Sequence, residues 1–152
     1  MIGLVSVNYK NAPVEVREKL HLSEVDIEII SKNFLENDIV DGVYIISTCN
    51  RTEIYYENYY INNSESKVVH KVISTLANFK KYTESIATYA VVKKNKEVIN
   101  HIFCLASGLE SMLIGEYQIV DQIKKSYKLS KENKFLSSNL DRLLQKSLNA
   151  SK

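Results

Sequence analysis

A single thiol stands inside a polar run, Ser47-Thr48-Cys49-Asn50-Arg51-Thr52-Glu53, directly after the apolar segment Val43-Tyr44-Ile45-Ile46. The apolar segment has the composition of a buried strand, so the thiol is expected at a strand end on a short polar loop, where rigid scaffolds hold reactive groups. A thiolate is a strong nucleophile near neutral pH, and a neighbouring guanidinium favours the thiolate form. The chemistry this stretch suggests is nucleophilic attack by Cys49, with Arg51 as its cationic neighbour. Most free cysteines are small buried core residues, but Thr48, Asn50 and Arg51 are the wrong company for a core position.

Arg51 has two uses open to it: a planar fork for a ligand carboxylate, or a structural salt bridge to Glu53 or Glu57. Thr48 and Asn50 are expected mainly to shape the loop. Of the histidines, His101 is a candidate proton carrier and His70 reads as a surface or half-buried residue without a function. His101 and Cys104 share a helix face. With Cys49 they form a thin metal or redox set, because three ligands without close pairing make a weak site. Lys124, Lys125, Lys128, Lys131 and Lys134 form a basic run in which Lys124, Lys128 and Lys131 share a helical stripe. A stripe of this kind contacts phosphates or is simply a solvated face.

The elements that must carry these groups are legible in order. Alternation and β-branching give a first strand over residues 2–8. Pro13 starts a short helix over residues 14–20. Ser23, with Asp26 three residues on, caps a helix to about residue 37 with Val25, Ile29, Ile30 and Phe34 on one side. A strand ending at Cys49 and a second over residues 52–60 form a hairpin. A helix follows over residues 65–79, then a last strand over residues 86–93. The order β-α-β-β-α-β is the split β-α-β pattern, an α+β ferredoxin-like antiparallel sheet with helices on one face.

From Asn95 onward every pattern is helical. Asn95 can cap and Gly108 can end a helix with Val98, Ile99, Ile102, Phe103 and Ala106 as its stripe. A further helix runs to about residue 133, and Leu136, Leu140, Leu143, Leu144 and Leu148 mark a final amphipathic one. That leucine stripe needs something to pack on, either this domain or a partner. The expected organisation is an α+β core over residues 1–94 and a helical part over residues 95–152, with no sharp boundary between them.

The 152 residues carry a net charge of +2, so the chain is no general electrostatic trap for nucleic acid, and any RNA contact must come from a local patch. Two cysteines give no disulfide framework, and no apolar stretch approaches the length of a membrane span. The expected compartment is the cytoplasm. The four glycines, Gly3, Gly42, Gly108 and Gly115, cannot form a Gly-x-Gly-x-x-Gly turn, so no Rossmann dinucleotide site is expected in this chain.

Ser47-Thr48-Cys49-Asn50-Arg51-Thr52-Glu53-Ile54-Tyr55 resembles the signature of glutamyl-tRNA reductase, the first committed enzyme of five-carbon tetrapyrrole synthesis. A second block, Gly108-Leu109-Glu110-Ser111-Met112-Leu113-Ile114-Gly115-Glu116 followed by Gln118-Ile119, is similar to that family's other long motif. The family has histidine where this chain has Tyr9, and proline where it has Tyr117.

The resemblance implies the N-terminal catalytic domain of an NADPH-dependent oxidoreductase of porphyrin and haem synthesis. Cys49 would attack the ester of glutamyl-tRNA to form a thioester, which hydride reduces to glutamate-1-semialdehyde. It implies His101 as general acid for the departing ribose oxygen and Arg51 for the substrate carboxylate. Thr48, Ser111, Glu116 and Gln118 are the other substrate-binding candidates. NADPH would be held by a domain outside this chain, followed by a helical dimerisation domain that makes the enzyme a homodimer. Glutamate-1-semialdehyde aminomutase, the next enzyme of the pathway, is a candidate partner. Two other enzyme readings keep Cys49 but pass the thioester to water, as a thioester hydrolase or an aminoacyl-tRNA deacylase. Outside enzymes stand the metal-binding module and an interaction domain docking through the terminal helix.

Overall fold

The computed structural model describes residues 1–59, 64–108 and 119–150. The elements are β1 (Ile2–Asn8), α1 (Val14–Leu20), α2 (Glu24–Glu36), β2 (Gly42–Ser47), β3 (Arg51–Glu57), α3 (Glu65–Lys80), β4 (Val91–Lys94), α4 (Lys96–Ala106), α5 (Ile119–Glu132) and α6 (Ser138–Ala150). The strands form one sheet in the order β2-β3-β1-β4, and every neighbouring pair is antiparallel. Among the described residues no helix is long and apolar enough to cross a membrane.

Successive strand residues point to opposite faces, and here both faces are covered. Val5, Val7, Val43, Ile45, Ile54 and Tyr56 pack with α1, α2 and α3. Leu4, Tyr44, Ile46 and Tyr55 pack with α4, α5 and α6. The helices of the α+β half thus lie on one face, as expected, while the helical C-terminal part folds back over the other. Its leucine stripe is satisfied inside the chain: Leu140, Leu143, Leu144 and Leu148 are buried in the same cluster as Tyr44, Ile46 and Ile102. That burial removes the surface on which an interaction domain docking through α6 would have depended.

Three local expectations shift. On α2 the buried residues are Ile27, Ile30, Ser31 and Phe34, whereas Val25 and Ile29 are 65% and 52% exposed. Both sets have helical spacing, and packing against β2 and α3 selects the one centred on Ile30 and Phe34. The Ser23–Asp26 capping box forms as the sequence predicts. The last strand is shorter than expected: Ile86–Thr88 is a 3-10 turn that drops Ile86 into the core, and only Val91–Lys94 pairs, along the β1 edge. Asn95 makes no side-chain cap for α4. It turns the chain at a φ of 52° while its Oδ1 accepts from the Ile2 N–H at 3.3 Å. Gly108 ends α4 at a φ of 85°, the left-handed conformation that glycine adopts without strain.

Gly42 shows how closely the extension docks. A Cβ at this position would lie 2.7 Å from the backbone nitrogen of Ser137, and the next residue, Val43, donates its N–H to the Phe135 carbonyl at 2.9 Å. Because the obstructing atom is backbone, Gly42→Ala must push the start of α6 off the sheet. A loss of about 1–3 kcal/mol is expected, read as a lower urea midpoint at constant slope.

Candidate active site

The period of two along β3 sets Arg51, Glu53 and Tyr55 on one face, opposite Asn8, Ser6 and Leu4 of β1. This is the face that α4 covers. Glu53 is fully buried there, and such a charge is tolerable only when its lone pairs are filled. Oε2 contacts His101 Nε2 at 2.7 Å, accepts from Ser6 Oγ at 2.7 Å and pairs with Arg51 Nη1 at 3.3 Å. Oε1 accepts from the Tyr55 hydroxyl at 2.8 Å. Asn8 Nδ2 donates to Ser6 Oγ at 2.9 Å, leaving the serine hydrogen for the carboxylate.

Burial alone pushes the Glu53 carboxyl up. The hydrogen bond and charge of His101, the charge of Arg51 and the Ser6 hydroxyl more than reverse this, holding it down at about 2. Tyr55 is driven well above the ordinary phenol range by burial and by the Glu53 charge, so it stays a donor. The carboxylate fixes the His101 ring by Nε2. The other ring nitrogen, Nδ1, is buried and has no hydrogen-bond partner among the described residues. His101 shares a cavity of about 200 Å³ with Lys93, Glu97, Asn100 and Cys104.

Cys49 sits elsewhere. It is exposed in the turn between β2 and β3 and lines an open cavity of about 280 Å³ with Arg17, Glu18 and His21 of the α1 end. The turn is built by its neighbours. Thr48 is buried, its N–H donates to the Arg51 carbonyl at 2.7 Å, and its hydroxyl accepts from the Asn50 N–H at 3.1 Å. Asn50 Oδ1 in turn accepts from Arg17 Nη1 at 3.4 Å, tying the hairpin tip to α1.

The structure therefore brings Arg51 and His101 together at Glu53 and sets Cys49 in a different cavity. Arg51 is 1% exposed, paired with Glu53 and lying 5.7 Å from the centre of the Tyr9 ring, so its salt-bridge use is realised. His70 is exposed, as expected. Cys104 lines the cavity of His101 and not that of Cys49, and among the described residues no cluster of three or more His, Cys, Asp or Glu could hold a metal. In the basic run Lys125 pairs with Glu24, Lys128 with Glu132 and Lys131 with Asp141, which lowers the net charge a phosphate would meet. Ser111, Glu116 and Gln118, with Tyr117, lie outside the described residues.

Against known proteins, residues 5–152 match the family model described as glutamyl-tRNA(Glu) reductase, N-terminal domain. The chain belongs to that family. It is 40% identical over 151 residues to the glutamyl-tRNA reductase of Aquifex aeolicus, covering 99% of this chain and 36% of that protein. It is 39% identical over 143 residues to that of Francisella philomiragia, covering 93% and 33%. Among solved structures, the glutamyl-tRNA reductase of Methanopyrus kandleri superposes with a TM-score of 0.72 at 26% identity, over 97% of this chain and 32% of that one. The chain spans about a third of the length of these relatives.

Within this glutamyl-tRNA reductase domain, sequence reasoning named Cys49, Arg51 and His101 but missed the group that joins two of them. Glu53 was read only as a salt-bridge acceptor. The signal was present: a carboxylate at every-other spacing from Arg51, inside a strand otherwise rich in aromatic and β-branched residues, must face a buried polar partner. Ser6 and His21 carried no comparable signal, because only the pairing of β1 with β3 and the packing of α1 on the hairpin bring them to the site.

Proposed function

We propose that this domain captures glutamate from glutamyl-tRNA as a thioester on Cys49, for reduction with NADPH to glutamate-1-semialdehyde in tetrapyrrole synthesis. One observation carries the reading: the thiol of the family signature is exposed at a hairpin tip beside an open cavity, and the strand that leaves the tip carries a buried carboxylate paired with the His101 imidazole of α4. The site sits on what we read as a ferredoxin-like split β-α-β sheet, supported by the strand order β2-β3-β1-β4.

In the first step the Cys49 sulfur attacks the ester carbonyl. The S–C bond forms, the C–O bond to the terminal ribose breaks, and the ribose oxygen leaves as a hydroxyl. His101 is the general acid for that oxygen: Glu53 locks the ring by Nε2, which leaves Nδ1 to exchange the proton. Arg51 is kept as the candidate for the substrate's side-chain carboxylate, which would have to share the buried guanidinium with Glu53. Thr48 shapes the loop, and Ser111, Glu116 and Gln118 bind the rest of the glutamyl group by their match to the second motif.

The chemistry that NADPH would supply is the hydride for reducing the thioester. The described residues do not fit this cofactor. A dinucleotide crevice opens between parallel strands at a switch point, whereas every neighbouring pair here is antiparallel, and Gly42 is closed off by Ser137. We therefore assign the hydride site to a part of the enzyme outside this chain. The same reading makes the enzyme a homodimer through that part and pairs it with the aminomutase that consumes the aldehyde.

The test is to mix the domain with glutamyl-tRNA, quench in acid and map the peptides by mass. A glutamyl adduct on Cys49 that hydroxylamine removes is expected, with no aldehyde formed when NADPH is added. An adduct on another residue, or aldehyde from this chain alone, overturns the reading.

A further inference from the structure

A chain of hydroxyls leads to the Cys49 cavity from the α1 side of the sheet, and the mechanism above does not use it. Ser47 and Thr52 face each other across the hairpin, with their hydroxyl oxygens 2.7 Å apart. Thr52 Oγ1 also lies 3.4 Å from the Leu20 carbonyl, which can only accept, and a threonine that donates there is free to accept from Ser47. In that arrangement the Thr52 oxygen accepts from Ser47. With its hydrogen placed, Ser47 Oγ accepts from the Leu22 N–H at 3.0 Å and from His21 Nδ1 at 3.2 Å. A neutral imidazole that donates through Nδ1 keeps its lone pair on Nε2. This arrangement leaves the His21 Nε2 lone pair open, and His21 lines the cavity that holds Cys49.

We propose that His21 is the proton acceptor of Cys49, a role that rests on the reading of Cys49 as the nucleophile. Nε2 takes the proton from Sγ: the S–H bond breaks, an N–H bond forms, and the sulfur keeps the electron pair with which it attacks the ester. His101 protonates the departing ribose oxygen, and the two rings return to their starting states by exchanging protons with water. One ring cannot do both tasks, since Glu53 holds the His101 Nε2 and leaves only Nδ1, which gives its proton to the ribose oxygen. Arg17, tied to the hairpin by Asn50, adds positive charge beside the sulfur. The other ionisable groups around His21 are Glu18 of α1, Glu24 of α2 and Lys125 of α5, and the last two pair with each other at 2.9 Å.

The test needs no tRNA. The rate of Cys49 alkylation by iodoacetamide is followed from pH 5 to 9 on the whole chain, with peptide mapping to separate Cys104. A thiolate–imidazolium pair gives a reactive plateau reaching below neutrality. In His21→Gln that plateau is expected to vanish, leaving a single rise at higher pH and a rate at pH 6.5 lower by about tenfold or more. His21 is exposed at the end of α1, so the substitution leaves the core intact. Ser47→Ala keeps the ring but removes its anchor, and a smaller loss with a displaced profile is expected. Profiles in both variants that superpose on the wild type overturn the proposal. If Cys49 still takes glutamate from tRNA in that case, the nucleophile reading stands without His21. If Cys49 never takes glutamate while the alkylation profile depends on His21, the thiol–imidazole pair stands and the thioester function fails.

Discussion

Cys49→Ser is expected to slow transfer of glutamate from tRNA to the protein by about 10³-fold or more, the scale seen when a covalent nucleophile is removed from a working site. The alcohol is far less ionised than a thiol near neutral pH, so the attacking anion is almost absent. Any ester that did form on serine would be an oxygen ester, more resonance-stabilised than a thioester and a poorer hydride acceptor. Both steps are thus affected by one atom. Cys49 is exposed and fills no core space, so the variant should unfold within about 0.5 kcal/mol of the wild type, which separates chemistry from folding. The measurement is single-turnover transfer of labelled glutamate, and transfer at the wild-type rate would rule out sulfur as the nucleophile.

Glu53→Gln is expected to have the largest effect on stability. The carboxylate is the common acceptor for His101, Ser6, Arg51 and Tyr55 in a site from which water is excluded. The amide removes the negative charge that faces the buried Arg51 guanidinium and the His101 ring, and its NH₂ group turns donors toward donors. Breaking a buried pair by removing one partner costs about 3–5 kcal/mol, a large share of a typical domain stability of roughly 5–15 kcal/mol. Urea unfolding at neutral pH should show this as a lower midpoint, and a loss below about 1 kcal/mol would mean that water or another group satisfies Arg51.

The same carboxylate sets an acid limb. Its folded value of about 2 lies below the ordinary 4.5, so the folded state binds the proton less readily than the unfolded one. The stabilisation is complete above about pH 4.5 and is lost as pH falls toward 2. At about 1.4 kcal/mol per pH unit the depression corresponds to about 3 kcal/mol. This limb should be present in the wild type and flattened in Glu53→Gln. His101 and Arg51 both depend on Glu53, so the variant should also lose glutamate transfer, and Ser6→Ala, which removes one of the four donors to the carboxylate, should lose less.

The metal and docking alternatives fail for geometric reasons that separate sequence from structure. His101 and Cys104 do share a helix face, as spacing required, but Cys49 opens into another cavity. The leucine stripe of α6 was legible as a face needing cover, and the cover proved to be the second face of the chain's own sheet.

The sequence alone determined the order of the elements and the position of the thiol. Hydrophobic period, the Ser23 cap, Pro13 and the polar run after Ile46 placed the helices, the hairpin and the thiol at its tip, because each of these is a local property of neighbouring residues. It also determined the family, through two motif blocks whose residues can be compared one by one. It did not determine which helical stripe of α2 would be buried, that residues 86–88 would turn before pairing, or that Arg51 and His101 would meet at Glu53. Nor could it show that His21 would border Cys49. Most of these are contacts between segments far apart in the chain, and they were decided only when strand register and helix docking fixed which side chains meet in the buried site at Glu53 and which line the open cavity at Cys49.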